Sequence, residues 1–337
     1  MNSYDGMMHY SDYLQLDKIL GAQQPESDRQ GQPAHDELLF IVIHQAYELW
    51  FRQLLFETGS VMGLMGQPTL NDNSPELQTI VHRLSRCATV LKVLVHQIDI
   101  METMTPMDFL DFRDKLRPAS GFQSWQFKLL EAKLGLKYEH RYGQEYYLSQ
   151  LREAEIGVIR AAEKAPSLLQ LLNSWLERMP FPPVDMAASF WDDYRHRYQQ
   201  SLNDAEKDNL SYFDSVLFGK GGEGSRSLSP AACRAAVFIM LYRGYPLLQL
   251  PFQMLHQLLE IDEQLSTWRF RHMSMVHRMI GTRTGTGGST GKDYLGAALQ
   301  RHHLFKEIAA LTSFLIERGR LPALSQEVER RLGFSVH

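Results

Sequence analysis

The chain has 337 residues, of which 44% are hydrophobic and 22% are charged, a composition typical of globular rather than disordered proteins. Thirty-five Lys and Arg against thirty-nine Asp and Glu give a formal net charge of −4, so we expect no nucleic-acid partner and no anionic membrane surface. With only two cysteines, a disulfide framework is excluded. No apolar run approaches twenty residues and no signal peptide is visible, so we expect a cytoplasmic protein without membrane spans.

Hydrophobic residues recur at helical spacing along most of the chain, and no segment shows the alternation expected of a strand. The first long helix is predicted over residues 37–65, with Asp36 as its N-cap. Its face with Phe40 and Phe51 is apolar, and so is the opposite face with Leu38, which predicts a helix that is buried all round.

Further helices follow at similar spacing, and prolines or glycines separate them. They are predicted at residues 75–102, 107–116, from 124, 166–178, 190–218, 231–242, 251–279 and in two closing segments from 294. A glycine-rich stretch predicts a flexible loop at 216–230. Because neither a repeat nor a shift in composition divides the chain, we expect residues 1–337 to form a single all-α helical-bundle domain.

Two histidines lie on apolar helical faces. His272 shares a stripe with Leu265 and Trp268, and His44 follows Phe40 by one turn. In each case the simpler interpretation is a core histidine hydrogen-bonded to a carbonyl group. The alternatives are an axial ligand of haem iron for His272 and a polar contact for an aromatic heterocycle for His44.

Phe109 and Arg113 are also one helical turn apart, and Asp108, Asp111 and Asp114 surround the arginine in sequence. A surface salt bridge is the simpler interpretation. The alternative is a guanidinium that holds a substrate carboxylate through two hydrogen bonds beside an aromatic wall.

Two other motifs give only weak indications of function. The segment 281–291 contains five glycines, but its spacing fits neither a P-loop nor a dinucleotide-binding motif, which leaves a mobile loop over a small polar ligand or an exposed linker. His35 and Glu37 fit a two-histidine, one-carboxylate iron site poorly, because neighbouring residues at a helix start point in different directions.

Seven segments resemble the tryptophan 2,3-dioxygenase family in composition and in order. They are residues 10–16 (YSDYLQL), 35–37 (HDE), 44–51 (HQAYELWF), 111–114 (DFRD), 118–124 (PASGFQS), 268–273 (WRFRHM) and 285–291 (GTGGSTG). Phe109 stands where some members have tyrosine. The segment 138–235 carries little of the family pattern.

The resemblance implies a helical haem enzyme that adds O2 across the C2–C3 bond of the indole ring of L-tryptophan to give N-formyl-L-kynurenine, the first step of tryptophan degradation. It further implies one haem b per subunit with ferrous iron, O2 as co-substrate, and a homotetramer built as a dimer of dimers. In this family the N-terminal arm, here residues 1–20, contacts a neighbouring subunit.

The resemblance also implies roles for individual residues. His272 matches the haem ligand, His44 the histidine that accepts the indole N–H, and Arg113 the group that binds the carboxylate. Further substrate-site residues implied by the resemblance are Phe40, Ile41, Val42, Ile43, Phe109, Ser120 at the haem edge, Thr286 near the ammonium and carboxylate groups, and Tyr10 and Tyr13 from an adjacent subunit.

Two alternative functions remain open at this point. One is a histidine-ligated haem monooxygenase or peroxygenase that acts on an indole or phenol amino acid. The other is a sensor that binds haem or tryptophan without turnover. Incorporation of one or two oxygen atoms separates the enzymes, and product formation separates both from the sensor.

Overall fold

The computed structural model describes residues 8–71, 73–141, 147–179, 182, 187–220, 226–283 and 302–333, and every regular element in these ranges is helical, as predicted. The α-helices are α1 (Tyr10–Leu14), α2 (Leu16–Leu20), α3 (Glu26–Arg29), α4 (Glu37–Met65), α5 (Pro75–Met101), α6 (Pro106–Arg113), α7 (Trp125–Leu134), α8 (Glu153–Lys164), α9 (Leu168–Arg178), α10 (Ala187–Ser201), α11 (Asn209–Phe218), α12 (Pro230–Leu241), α13 (Pro246–Ile280), α14 (Lys306–Ala310) and α15 (Gln326–Arg331). Short 3₁₀ turns lie at Asp114–Leu116, Gly121–Gln123, Tyr138–His140, Asp204–Glu206, Leu311–Phe314 and Arg318–Arg320.

The long helix α5 packs against both α4 and α13; His44 lies on α4 and His272 on α13. Local signals set where the neighbouring elements begin. Ser74 caps α5 by accepting the N–H of Leu77, and Pro75 occupies a position whose N–H needs no partner. Thr105 and Asp108 form a capping box at the start of α6.

The prediction that α4 is buried all round is wrong for the described chain. Leu38, Val42, Leu49 and Phe56 are 49%, 46%, 56% and 72% exposed. They lie on the side of α4 that faces away from the residues of its core-facing side, such as Phe51. Hydrophobicity on both faces therefore does not mean that both faces are covered within one chain.

Several predicted boundaries differ from those observed. The helix expected to start at Pro251 begins at Pro246, so Pro251 lies inside α13 and is buried there, because the packing of a 35-residue helix offsets one missing hydrogen bond. The helix expected over 190–218 is interrupted after Ser201, where the side chain of Asn203 accepts the N–H of Ala205.

The ends of the segment 216–230, predicted as a flexible loop, belong to the packed part of the chain. Val216 and Leu217 are buried in the last turn of α11, which ends at Phe218, and Leu228 is also buried. Residues 221–225 lie outside the described residues. Among the helices that the structure describes, none combines the length and the hydropathy needed to cross a membrane.

Candidate functional site

An aromatic cluster of α4 and α6 lies beside His44, which contacts it through Phe40. The ring of Phe40 lies 4.1 Å from the ring of His44, and 5.7 and 5.6 Å from those of Phe109 and Phe112. Phe112 is fully buried, whereas Phe40, His44 and Phe109 are partly exposed. The cluster therefore offers a partly open aromatic surface with one imidazole in it.

His44 presents a hydrogen-bond acceptor. Its Nδ1 atom lies 2.7 Å from the carbonyl oxygen of Phe40. Because a carbonyl oxygen only accepts, we assign the proton of the neutral ring to Nδ1, which leaves a lone pair on Nε2. Burial lowers the pKa of His44 below 6.5, against the opposing effects of the Phe40 hydrogen bond and the Glu48 charge. The ring is therefore neutral at pH 7.

His272 lies on α13, close enough to His44 for the charge of that ring to affect it. Burial, assisted by His44, lowers the pKa of His272 to about 4. Its Nδ1 atom is buried without a hydrogen-bond partner among the described residues, so the interpretation of a core histidine bonded through Nδ1 to a carbonyl group finds no support there. A neutral imidazole with unused hydrogen-bonding capacity in an apolar wall fits the axial ligand of a haem.

Trp268 fixes the environment of His272 from one side. The two rings are stacked, with centroids 5.1 Å apart and planes 8° apart. Trp268 also contacts Phe127 of α7 at 4.9 Å, and Tyr47 and Phe51 of α4 at 6.0 and 6.4 Å. Side chains from α4, α7 and α13 therefore restrict the movement of Trp268, on which the His272 imidazole stacks.

Arg113 is the last residue of α6 and is only 5% exposed. The surface salt-bridge interpretation is therefore wrong, because Arg113 is not on the surface. Of the neighbouring aspartates, Asp108 belongs to the capping box and Asp114 lies 3.3 Å from Arg117. A guanidinium buried one turn from Phe109 is suitably placed for an anionic group at the aromatic cluster.

Ser120 is partly buried and caps the 3₁₀ turn that precedes α7. Its hydroxyl accepts the N–H of Phe122, and its own N–H donates to the side chain of Gln123. Lys128 donates to the carbonyl oxygen of Phe122 and so ties this turn to α7. Gln126 joins the same helix to α4 by donating to Glu48, at 3.0 Å to its carbonyl and 2.8 Å to its carboxylate.

The remaining residues predicted to bind the substrate lie in different environments. Ile43 is buried in the core, Ile41 is partly buried, and Val42 is exposed on the opposite side of α4 from Phe40. Tyr10 and Tyr13 are each 69% exposed on α1, which buries none of its residues. Thr286, with the glycine-rich segment around it, lies outside the described residues.

Glu37 and its neighbours show no sign of an iron site. The Glu37 carboxylate accepts the N–H groups of Glu26 and Ser27, at 2.8 and 2.9 Å, and is almost fully buried. It therefore holds the α3 segment against the start of α4. Asp36 occupies the N-cap position, but its side chain makes no capping bond, contrary to the prediction.

Sequence analysis missed a buried charged cluster beside α13. Glu131 of α7 is 4% exposed and contacts Arg141 at 2.8 Å and Arg269 at 2.7 Å. Burial alone would raise the pKa of Glu131, but the two arginines and the nearby His302 hold it at about 2. No local sequence pattern indicates this cluster, because Glu131 and Arg269 are 138 positions apart.

Comparison with known proteins identifies the family of this chain. A family model described as tryptophan 2,3-dioxygenase matches residues 1–216 and 211–315. Proteins named tryptophan 2,3-dioxygenase from Bdellovibrio bacteriovorus and Alteromonas mediterranea are 41% and 42% identical to this chain, covering 97% of it and 98% and 97% of their own lengths. The protein of that name from Dictyostelium discoideum is 40% identical, over 97% of this chain and 88% of its own. The chain belongs to the tryptophan 2,3-dioxygenase family.

Proposed function

We propose that this protein catalyses the addition of O2 across the C2–C3 bond of the indole ring of L-tryptophan to give N-formyl-L-kynurenine, the first step of tryptophan degradation. Family membership supports the reaction class. The observation that carries the substrate is the neutral imidazole of His44, which has a free acceptor on Nε2 and lies 4.1 Å from the ring of Phe40. An indole ring offers one N–H donor and a flat apolar surface, which match these two features.

In this proposal Phe40 and Phe109 pack against the indole ring, while His44 accepts the hydrogen bond of the indole N–H. The rings of Phe40 and Phe109 both lie in edge contact with Phe112, at 5.6 and 5.4 Å, which holds them in place. A low pKa keeps His44 unprotonated, so it does not repel the indole N–H at neutral pH. Of the neighbouring residues, Ile43 supports this wall from the core, and Ile41 and Val42 belong to other faces of α4.

The amino-acid end of tryptophan would be held by Arg113. Two parallel charge-assisted hydrogen bonds between the guanidinium and the carboxylate fix both the position and the orientation of the substrate. Thr286 would add a hydroxyl near the ammonium and carboxylate groups, and Ser120 a polar contact at the edge of the haem. Fixing both ends of the substrate converts a bimolecular encounter into a positioned reaction.

We further propose that His272 is the protein ligand of one haem b per subunit. With a pKa of about 4 the imidazole keeps its lone pair at physiological pH, and stacking on Trp268 restricts its rotation. Haem, when bound, supplies ferrous iron at which molecular oxygen is activated. The apolar wall excludes water from this position. Both oxygen atoms enter the product, so no external reductant is consumed.

We also propose a cytoplasmic homotetramer, built as a dimer of dimers, in which Tyr10 and Tyr13 complete the site of an adjacent subunit. Both tyrosines are largely exposed in the single chain. The segment that follows them is bound to α4 beside His44, since Gln23 donates to Gln45 and Gln45 donates to the carbonyl oxygen of Ala22. The exposed apolar face of α4 is a second surface that assembly would cover.

Isotope labelling tests the proposed reaction. Purified protein reconstituted with haem is supplied with L-tryptophan under ¹⁸O₂, and the product is analysed by mass spectrometry. We expect N-formyl-kynurenine that carries two labelled atoms. One labelled atom would identify a monooxygenase, and tryptophan binding without product would identify a sensor.

A further inference from the structure

Arg269 connects α13 to two other parts of the chain one turn before His272. Its side chain is 5% exposed, and one guanidinium nitrogen lies 2.7 Å from a carboxylate oxygen of Glu131 on α7. The other terminal nitrogen donates to the carbonyl oxygen of His302 at 2.9 Å. Three residues correspond to about 4.5 Å along a helix axis, so this connection lies immediately beside the imidazole.

A second contact holds α13 to the same downstream segment. Asp262 lies seven residues, or about two turns, before Arg269 and therefore on a similar face of the helix. Its carboxylate accepts the N–H groups of Leu304 and Phe305 at 2.9 and 3.1 Å. Two buried connections on one side of α13 resist rotation of the helix about its axis, which a single contact does not.

The charges around Arg269 are balanced. Glu131 also binds Arg141 at 2.8 Å, and Arg141 lies 3.5 Å from Glu163 and donates to the carbonyl oxygen of Lys128 at 3.1 Å. Two arginines thus face two glutamates in the interior of the protein. Replacing a buried ion pair by well-packed apolar residues is often neutral or stabilising, so a stabilising role alone does not account for this cluster.

We infer that Arg269 is a positioning residue for the proposed haem ligand, because its buried bonds to Glu131 and to the His302 carbonyl group fix the rotation of α13 and with it the direction of the His272 imidazole. Trp268 and His272 stack on the same helix, so a rotated α13 would carry both rings together. This inference depends on the proposed role of His272. It adds that the direction of the imidazole is set from α7 and from residues 302–305, and not by contacts of the imidazole alone.

The chain offers a closely matched control. Arg141 binds the same carboxylate, is equally buried and also donates to a carbonyl group, but these contacts lie on α7 and, through Glu163, on α8. Arg269→Lys and Arg141→Lys therefore make the same chemical change in the same charged cluster. Only Arg269→Lys removes a connection between α13 and residues 302–305.

The test measures the iron–imidazole stretching frequency of the ferrous haem protein by resonance Raman spectroscopy, and haem affinity by titration of haem-free protein. We expect Arg269→Lys to shift and broaden the iron–imidazole band and to weaken haem binding by about tenfold or more. The Michaelis constant for tryptophan should stay within about twofold while kcat falls about tenfold, since misplacing a reacting group by about an ångström has effects of this order. Arg141→Lys should retain the wild-type band.

Each other outcome decides against the inference. An unchanged band in Arg269→Lys, or the same shift in Arg269→Lys and Arg141→Lys, would show that the cluster acts only on general stability. If Arg269→Lys does not fold, Arg269→Gln is examined, and failure of both while Arg141→Lys folds would make Arg269 a requirement of the fold, not a positioning residue. A haem band that persists unaltered in His272→Ala would instead overturn the proposed ligand.

Discussion

Replacement of Arg113 by lysine tests whether the buried guanidinium binds the carboxylate of the substrate. Lysine keeps the positive charge but lacks the planar pair of donors that matches a carboxylate. Arg113 is 5% exposed and lies one turn from Phe109, which contacts Phe40, and Phe40 in turn contacts His44. A carboxylate bound there would be largely removed from water, so the geometry of its hydrogen bonds should matter.

The expected loss follows from this burial. Disrupting one partner of a desolvated, hydrogen-bonded charge pair typically costs about 2–5 kcal/mol. Because lysine preserves the charge, we expect Arg113→Lys to lie near the lower limit and Arg113→Ala to exceed it. At about 1.4 kcal/mol for each factor of ten, kcat/KM for L-tryptophan should fall roughly thirty-fold in Arg113→Lys.

The assay compares L-tryptophan with tryptamine, which has the indole ring and the amine but no carboxylate. Tryptamine should be a poor substrate of the wild type and should lose little further in either variant. Arg117→Lys serves as the control, because Arg117 is exposed and pairs with Asp114 at the surface. Equal losses on tryptophan and tryptamine would refute the reasoning and would make Arg113 a structural residue.

Three other predictions concern the haem ligand, the N-terminal arm and a buried lysine. His272→Ala should abolish stable haem binding and His44→Ala should not, as judged by the Soret band; loss of haem only in His44→Ala would reverse the assignments. Removal of residues 1–16 should raise KM for tryptophan several-fold and leave haem bound, and unchanged kinetics would contradict a shared site. Burial lowers the pKa of Lys128 from 10.5 to about 8, so the unfolded chain binds more protons between these values. The free energy of unfolding of the haem-free wild type should therefore rise relative to that of Lys128→Met by about 1–2 kcal/mol from pH 8 to 9.5, measured by urea denaturation; parallel profiles would contradict the shifted pKa.

Helix content and family membership were predictable from the sequence, because both depend on short-range patterns. The spacing of apolar residues predicted α4 and α5 nearly to their ends. The motifs around His44 and His272 identified the family before any contact was known. The start of α13 was misplaced, because Pro251 was taken as a boundary although packing tolerates it within the helix.

The burial of particular side chains was decided only by the tertiary structure. Sequence alone favoured a surface salt bridge for Arg113 and a buried environment for Leu38, and both expectations were wrong. Helical periodicity states which residues share a face, but not which faces another helix covers.

The buried pair of Glu131 and Arg269 illustrates the same limit at longer range. Neither residue carries a local signal, because each reads as an ordinary charged position on a helix. A charge is stable in the interior only when it is paired, and for Arg269 the counter-charge comes from a residue 138 positions away. The sequence by itself thus determined the helices and the motif residues. Only the folded chain determined which charges are paired, which surfaces stay exposed and how the His272 helix is held, because these depend on contacts between residues far apart in sequence.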